Sequence, residues 1–507
     1  MLFSMERIST PSFSALKLYR AIFTLFIIIF FTLPAQAIPL VASACLIRHG
    51  DKVVVIKEEI SNKLALPGGQ IAPEDSPEQA AVREVYEETG IHVDAVKLLK
   101  LRGNTTLFAC VAKQPIPTTL ITPYTQPLTM TESDDLLIST WQAKHFTKEV
   151  KRAYMLSAEN ITPKDYRYPN DVPLIKHLLS QVPNSEITTN AADYYAVSRL
   201  HQWELTQIKS FQQEIKSLPD SYQSLFQRVI SVFNLPSEKL FIGLLLLVVT
   251  VGFGVTAMLY LSSVLVSVTF IASVMKLALA SPRPFYIWPE LQQTAASGFG
   301  LPSGHTLMAT VLWGLLWYNL PLLIHRYRPH FTLNLIAFRL KTLPLLIIAI
   351  SLQAIARIWL GVHFISDTLL GLGVGIVILV LLIWWQRSGL AYQVVRNWRF
   401  WALLSVIIAV GVSYFQVPQQ VYLLACTLAM STAVFIDRGR LRQTITYPQK
   451  IKLAVVLLGS VLAIGFLSSL CVELVISTVA ILLIKILAIV VMVMVCVLMT
   501  VHSYRLK

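Results

Sequence analysis

Beyond Leu240 the chain carries only four acidic residues, Glu290, Asp367, Asp437 and Glu473, and its apolar runs are broken mainly by short basic gaps. Charged side chains are expensive in hydrocarbon, and a run of about 20 apolar residues is the length that spans it. A single water-soluble domain is thereby excluded. The 507 residues are 55% hydrophobic and 14% charged, with a mean hydropathy of +0.62, whereas soluble domains hold about 25% charge and roughly 45–50% apolar residues. Residues 39 to 235, in contrast, mix charge, Pro and short apolar patches. A soluble module therefore precedes a membrane module. The formal charge of +14 raises the question of nucleic acid, but the basic residues lie between apolar runs, not on a soluble face, so no nucleic-acid partner is expected.

Lys17 and Arg20 precede an apolar stretch from Ala21 to Leu33, and Ala35-Gln36-Ala37 follows with small residues where signal peptidase reads them. The pattern predicts a signal peptide over 1–37, cleaved after Ala37 or retained as an anchor. Both place the next module outside the cytoplasm. Spans are predicted near 240–260, 262–281, 304–322, 343–361, 364–385, 400–416, 420–436, 453–471 and 474–499, with the turn between the first two at Leu261, Ser262 and Ser263. From an outside start, the inward loops should be basic. They hold Arg326, Arg328, Arg339 and Lys341; Arg387, Arg396 and Arg399; Arg438, Arg440, Arg442, Lys450 and Lys452; and, at the end, Arg505 and Lys507.

In the soluble module, residues 76 to 90 carry helix signals: Ser76 as cap, Pro77 at the first helical position, Gln79 completing a capping box and Gly90 as the stop. Glu84, Glu87 and Glu88 stand at i, i+3 and i+4, so their carboxylates share one face. Such a cluster is costly without a cation, and hard oxygen ligands select Mg²⁺ or Mn²⁺. Gly68 and Gly69 allow close backbone approach. Gly69, Arg83, Glu84, Val85, Glu87, Glu88, Gly90 and Ile91 resemble the Nudix box, with Asp75 where the family has its first Glu, a change expected to weaken the site without abolishing it. Strands at Val41–Ile47, Val53–Glu58 and Thr106–Ala112 extend the likeness over about 39–182. The resemblance implies an α/β/α sandwich that hydrolyses a diphosphate-containing small molecule, with the metal on Glu84, Glu87 and Glu88 and support from Gly69 and Arg83. Cys45 and Cys110 fall on two of these strands, as buried thiols or a disulfide. His49, His92, His145 and His177 show no ligand pattern and are read as surface residues.

Three polar clusters break the membrane module: Lys276 with Arg283-Pro284, Pro302-Ser303-Gly304-His305, and Arg357 with His363 and Asp367. Intramembrane ionisable groups are functional by default, and all three clusters fall at outward helix ends in the topology above. Lys276, Arg283 and Arg357 supply charge for a phosphoryl group. Ser303 and the Gly304 amide open a helix whose N-terminus favours an anion. His363, four residues before Asp367, is a candidate nucleophile oriented by the carboxylate, and His305 a candidate general acid. The clusters resemble the three motifs of the type-2 phosphatidic acid phosphatase superfamily, with Ala356 where the third motif has Ser. The resemblance implies a phosphohistidine on His363, hydrolysis needing no cofactor at this site, and a six-helix core over about 240–416. By that resemblance, an outward-facing site fits a bacterial inner-membrane lipid phosphatase acting on undecaprenyl diphosphate or phosphatidylglycerophosphate, the former favoured.

The expected fold is thus multidomain: a Nudix sandwich over 38–182, a linker over 183–239, an all-α polytopic core over 240–416, and about three further transmembrane helices over 417–507. In the linker, Leu200, Leu205, Ile208, Phe211 and Ile215 and then Tyr222 to Phe233 form amphipathic segments that lie in the membrane interface or pack on protein. Lys485, in the last span, is expected to find a structural partner or snorkel. Function is expected to be a membrane lipid phosphatase fused to a Nudix hydrolase, both facing the periplasm or exterior; alternatively the Nudix fold serves only as a binding or regulatory module.

Overall fold

A computed structural model describes residues 41–126, 134–189, 197–235, 238–327, 334–436 and 445–504. The expected signal segment, 1–37, and the basic residues Arg328, Arg438, Arg440, Arg442, Arg505 and Lys507 lie outside the described residues.

Alternation along the strands builds the first module. Strands β1 (Ala42–His49) and β2 (Lys52–Glu58) form a hairpin; β3 (Leu64–Ala65), β4 (Gly68–Gln70) and β5 (Val93–Arg102) follow, and β6 (Thr105–Ala112) runs parallel to β1. Helix α1 (Pro77–Thr89) covers one face, where Ala81 and Val85 share a core with Cys45, Ile47, Val54 and Ile56. Helix α2 (Val172–Leu178) covers the other, where Val172, Ile175 and Leu178 share a core with Leu46, Val53 and Val55. Neighbouring strand residues point to opposite faces, so one sheet serves two layers and the result is α/β/α. Cys45 and Cys110, on the paired strands β1 and β6, form a disulfide with Cα atoms 5.6 Å apart, so the buried-thiol alternative is not the one adopted.

The sheet also runs past residue 182. Ser185 donates its amide to the Arg48 carbonyl and accepts from the Ala112 amide, and β10 (Ile187–Thr189), which follows β8 (Leu136–Ile138) and β9 (Val150–Ser157), pairs in parallel with β7 (Ile116–Leu120). Then come the amphipathic helices α3 (Arg199–Lys216), capped by Ser198, and α4 (Asp220–Asn234), which starts after Pro219.

Eight helices among the described residues are long and apolar enough to cross a membrane. They are α6 (Val255–Leu279), α7 (Gly304–Tyr327), α8 (Leu335–Trp359), α9 (Ile365–Arg387), α10 (Trp398–Phe415), α11 (Pro418–Ile436), α12 (Tyr447–Glu473) and α13 (Thr478–Tyr504). A shorter apolar helix, α5 (Lys239–Phe253), precedes them. The break between α5 and α6 falls at Gly254, φ 85, not at Leu261–Ser263 as expected. Ser262 and Ser263 are buried inside α6, and the Ser263 hydroxyl donates to the Tyr260 carbonyl one turn back. A serine satisfied in this way has no need to end a helix. Val264 and Val268 of α6 share an apolar core with Leu307 and Val311 of α7, Ala429 and Ala433 of α11, and Val497 and Val501 of α13, so the last helices belong to the same bundle.

The linker helices each pack one face on protein. Leu205 and Ile208 of α3 join Ile287, Leu291 and Phe364, and Ile230 of α4 joins Ala356 and Trp359. Gln212 donates to the carbonyls of Leu291 and Trp359, both at 2.8 Å. Glu204, 1% exposed, accepts from the amide and hydroxyl of Ser366 at the start of α9. Burial holds its carboxyl above the usual range, and the Ser366 bonds oppose that shift. Lys485 donates to the Ile60 carbonyl of the soluble module at 2.6 Å, the structural partner expected for it.

Candidate functional site

Four segments bring the membrane motifs together at one end of the bundle: the turn after α6, the start of α7, the last turn of α8 and the start of α9. His363 and Asp367, one turn apart, are 1% and 0% exposed. His363 Nδ1 lies 3.1 Å from Asp367 Oδ2, which also accepts from the Phe364 amide at 3.0 Å. A proton on Nδ1 satisfies this contact and leaves a lone pair on Nε2. That lone pair meets Arg283 Nη1 at 3.1 Å. Arg283 is aimed by carbonyls, its Nη1 donating to Val362 at 2.7 Å and its Nε to Gly298 at 2.8 Å. Lys276 Nζ donates to the carbonyls of Phe299 and Gly300 at 2.7 and 3.1 Å. Lys276, Arg283, Arg357 and His305 all lie near enough to His363 to act on it electrostatically. Ser303, fully buried, ties its amide to the Asp367 carbonyl at 2.9 Å, which seats the α7 N-terminus beside α9.

The linker supplies two site neighbours that no motif announced. Asn234 Oδ1 accepts from Arg357 Nη1 at 2.8 Å, and Glu238 Oε1 lies 3.7 Å from His305 Nε2. Arg357 Nε is buried and, among the described residues, has no hydrogen-bond partner. Ala356 is fully buried among Ile230 and Trp359, apolar surroundings that suit a methyl better than the hydroxyl of the usual Ser. Gly300, close to Ser303 in the sequence, carries no motif signal of its own: a Cβ there would lie 2.6 Å from Asp367 Oδ2 and 2.8 Å from the Pro282 carbonyl. Gly300→Ala is therefore expected to lower phosphate release about a hundredfold by displacing the carboxylate that orients His363. Retention of more than about half the wild-type rate would contradict this.

In the soluble module the capping box of α1 forms as expected, with Ser76 and Gln79 exchanging bonds, and Gly90 ends the helix at φ 77. Arg83 gathers the acids: it donates to Asp75 at 2.8 Å, Glu84 at 2.8 Å and Glu87 at 2.9 Å, and to the Gln70 carbonyl at 2.9 Å. The shorter Asp75 side chain thus still reaches Arg83. Burial opposes charge on Arg83, but Asp75, Glu84 and Glu87 outweigh it and raise its pKa. A Cβ on Gly69 would lie 2.5 Å from Glu84 Cδ, so a side chain there would displace the Glu84 carboxylate. Burial pushes the Glu84 carboxyl up; Glu87 also pays desolvation, but bonds from Lys144 and Arg83 hold it below the usual range.

Glu84, Glu87 and His145 present ligand atoms that all lie within 4.8 Å of one another. Two hard oxygens and an imidazole fit a divalent cation. His145 is therefore not the surface residue expected; its side chain is 17% exposed and its Nε2 lies 3.6 Å from Glu87 Oε2. The loop brings it in from far along the chain, which no local pattern signals. Glu88 is buried on the same helix, its carboxylate accepting from the Gly68 amide at 2.8 Å, and burial pushes its pKa well up.

A MutT-like protein of Streptomyces ambofaciens is 35% identical over 60 residues, 12% of this chain, and the match spans 39% of that relative's length. A NUDIX hydrolase from Nitrosomonas europaea is 18% identical, covering 31% of this chain and 82% of its own, with a TM-score of 0.21. A transmembrane PAP2 type phosphatidylglycerolphosphate phosphatase from Bacillus subtilis is 18% identical, covering 37% and 97%, with a TM-score of 0.22. The NUDIX domain model matches residues 38–136 and the PAP2 superfamily model residues 256–391. The chain is a fusion of a NUDIX domain with a PAP2 superfamily domain.

Proposed function

We propose that the membrane module hydrolyses a lipid phosphate or diphosphate through a phosphohistidine on His363, with undecaprenyl diphosphate the favoured substrate and phosphatidylglycerophosphate the alternative. The observation that carries this is the buried His363–Asp367 pair, which directs Nε2 at Arg283. Nε2 attacks phosphorus while His305 protonates the departing oxygen; water then cleaves the phosphorus–nitrogen bond and returns His363. Arg283, Arg357, Lys276, Ser303 and the Gly304 amide hold the phosphoryl oxygens, and the unpartnered Arg357 Nε suits one of them. A buried guanidinium proton without an acceptor is costly.

The soluble module is proposed to hydrolyse a diphosphate-containing small molecule. Glu84, Glu87 and Glu88, with His145 beside them, would hold a Mg²⁺ or Mn²⁺ ion, which supplies positive charge to the diphosphate oxygens. Arg83 keeps the carboxylates together, and Gly69 lets the backbone close on them. Both sites are proposed to face the periplasm or exterior of a bacterial inner membrane. A reporter active only outside the cytoplasm, fused after Leu218, is expected to be active; a dark fusion would overturn that placement.

The deciding experiment is phosphate release by detergent-purified protein from undecaprenyl diphosphate and phosphatidylglycerophosphate in EDTA. Release without metal supports the membrane reading, and preference between the lipids assigns the substrate. No release from either would reject it.

A further inference from the structure

The segment from Lys144 to Thr147 touches both sites at once. On one side, Lys144 Nζ pairs with Glu87 Oε1, His145 Nε2 lies 3.6 Å from Glu87 Oε2, and the His145 amide donates to the Glu87 carbonyl at 2.8 Å. On the other, Phe146 is 2% exposed and packs edge-on against Tyr286 and Phe299, with ring centroids 5.6 and 5.2 Å away. Thr147 is equally close to the membrane module, its methyl 3.6 Å from where a Cβ on Gly298 would stand.

These membrane-module partners are the groups that aim the phosphate-site cations. The Gly298 carbonyl accepts from Arg283 Nε at 2.8 Å and from the Tyr286 hydroxyl at 3.2 Å, and the Phe299 carbonyl accepts from Lys276 Nζ at 2.7 Å. The segment itself is a closed turn: Phe146 donates to the Ala143 carbonyl at 3.1 Å and Thr147 to the Val150 carbonyl at 2.9 Å. Arg152, on the strand that follows, adds a second tie by donating to the Ala296 carbonyl at 2.6 Å.

We infer that this segment couples the two sites, so that loading a cation between Glu84, Glu87 and His145 changes how the membrane site binds phosphate, with Phe146 as the positioning residue. The inference rests on both readings proposed above. An arriving cation attracts the His145 imidazole and repels the Lys144 ammonium from Glu87. Lys144 and His145 are joined to Phe146 through a hydrogen-bonded turn, so their displacement reaches its ring. Close-packed rings do not move singly. Tyr286 and Phe299 must adjust with Phe146, and the carbonyls of Gly298 and Phe299 carry the adjustment to Arg283 and Lys276. Because those two cations bind substrate oxygens, the effect belongs mainly in KM.

The test uses the full chain in detergent, with phosphate release from a lipid phosphate measured in EDTA and in saturating Mg²⁺, and Mn²⁺ affinity measured separately by electron paramagnetic resonance. In the wild type, KM is expected to differ about threefold between the two conditions, with a smaller change in kcat. Phe146→Ala, and Phe146→Leu as a less disruptive second variant, are expected to bind Mn²⁺ as the wild type does yet show one KM in both conditions. A wild-type KM indifferent to Mg²⁺ overturns the coupling. So does the same KM shift in Phe146→Leu, which would place the metal effect on the lipid itself. Absence of release in EDTA by the wild type is a different failure: it removes the phosphatase reading, and the coupling with it.

Discussion

His363→Ala is expected to remove phosphate release from the lipid substrate by at least about a thousandfold, because it deletes the proposed nucleophile and leaves only binding and electrostatics. Asp367→Asn is the sharper test, with an expected loss of about a thousandfold or more despite nearly unchanged volume. Asp367 Oδ2 accepts both from the Phe364 amide at 3.0 Å and from His363 Nδ1 at 3.1 Å. With its oxygen in the Oδ2 place an amide accepts both bonds but lacks the negative charge that stabilises a protonated imidazole; with its nitrogen there it faces the Phe364 amide donor to donor, Nδ1 must become the acceptor and the proton moves to Nε2. The lone pair that faces Arg283 is then lost. Assays in EDTA, with thermal unfolding to confirm that the variants fold, would decide. An Asp367→Asn chain that keeps more than about a tenth of wild-type turnover would remove the orienting role. A labelled phosphoryl group trapped on the wild type and absent from His363→Ala would support the covalent step.

What the sequence disclosed was local. The capping box of Ser76 and Gln79, the glutamates of α1, and the spacing of His363 from Asp367 are each set by one helix turn, so periodicity alone places them together. What it hid depends on chain segments meeting from a distance. Asn234 and Glu238 reach Arg357 and His305 only because α4 docks under α8, and His145 reaches Glu87 only because a loop folds back over α1. The disulfide depends likewise on the parallel pairing of β1 with β6, strands separated by the whole of α1 and β5 (Val93–Arg102). The misplaced turn has a different cause. Ser262-Ser263 looks polar enough to break an apolar run, yet a serine hydroxyl can bond within the helix, whereas Gly254 at positive φ ends one without advertising polarity.

Glu84→Gln and Glu87→Gln are each expected to weaken Mn²⁺ binding at least about tenfold and to lower diphosphate hydrolysis by about a hundredfold or more. The two carboxylates stand on adjacent turns of one face, and Arg83 Nη1 bridges them at 2.8 and 2.9 Å. One guanidinium cannot neutralise both and also satisfy Asp75, and Lys144 adds a second positive charge at Glu87 from a side chain that is 64% exposed. That is a group of acids held ready for a cation. Removing one negative charge lowers the field at the ion and leaves Arg83 with fewer acceptors, so both affinity and turnover should fall. His145→Ala separates the donors by kind. Imidazole nitrogen favours Mn²⁺ over Mg²⁺ more than carboxylate oxygen does, so this variant should lose more affinity for Mn²⁺ than for Mg²⁺, while the two glutamine variants lose both. Direct titration of each metal, alongside turnover of a panel of nucleoside diphosphate derivatives, reads these outcomes independently. Wild-type metal affinity in Glu87→Gln would place the ion elsewhere. Full turnover with weakened binding would instead detach the cation from the chemistry and leave the NUDIX domain as a metal-responsive module set over the membrane site.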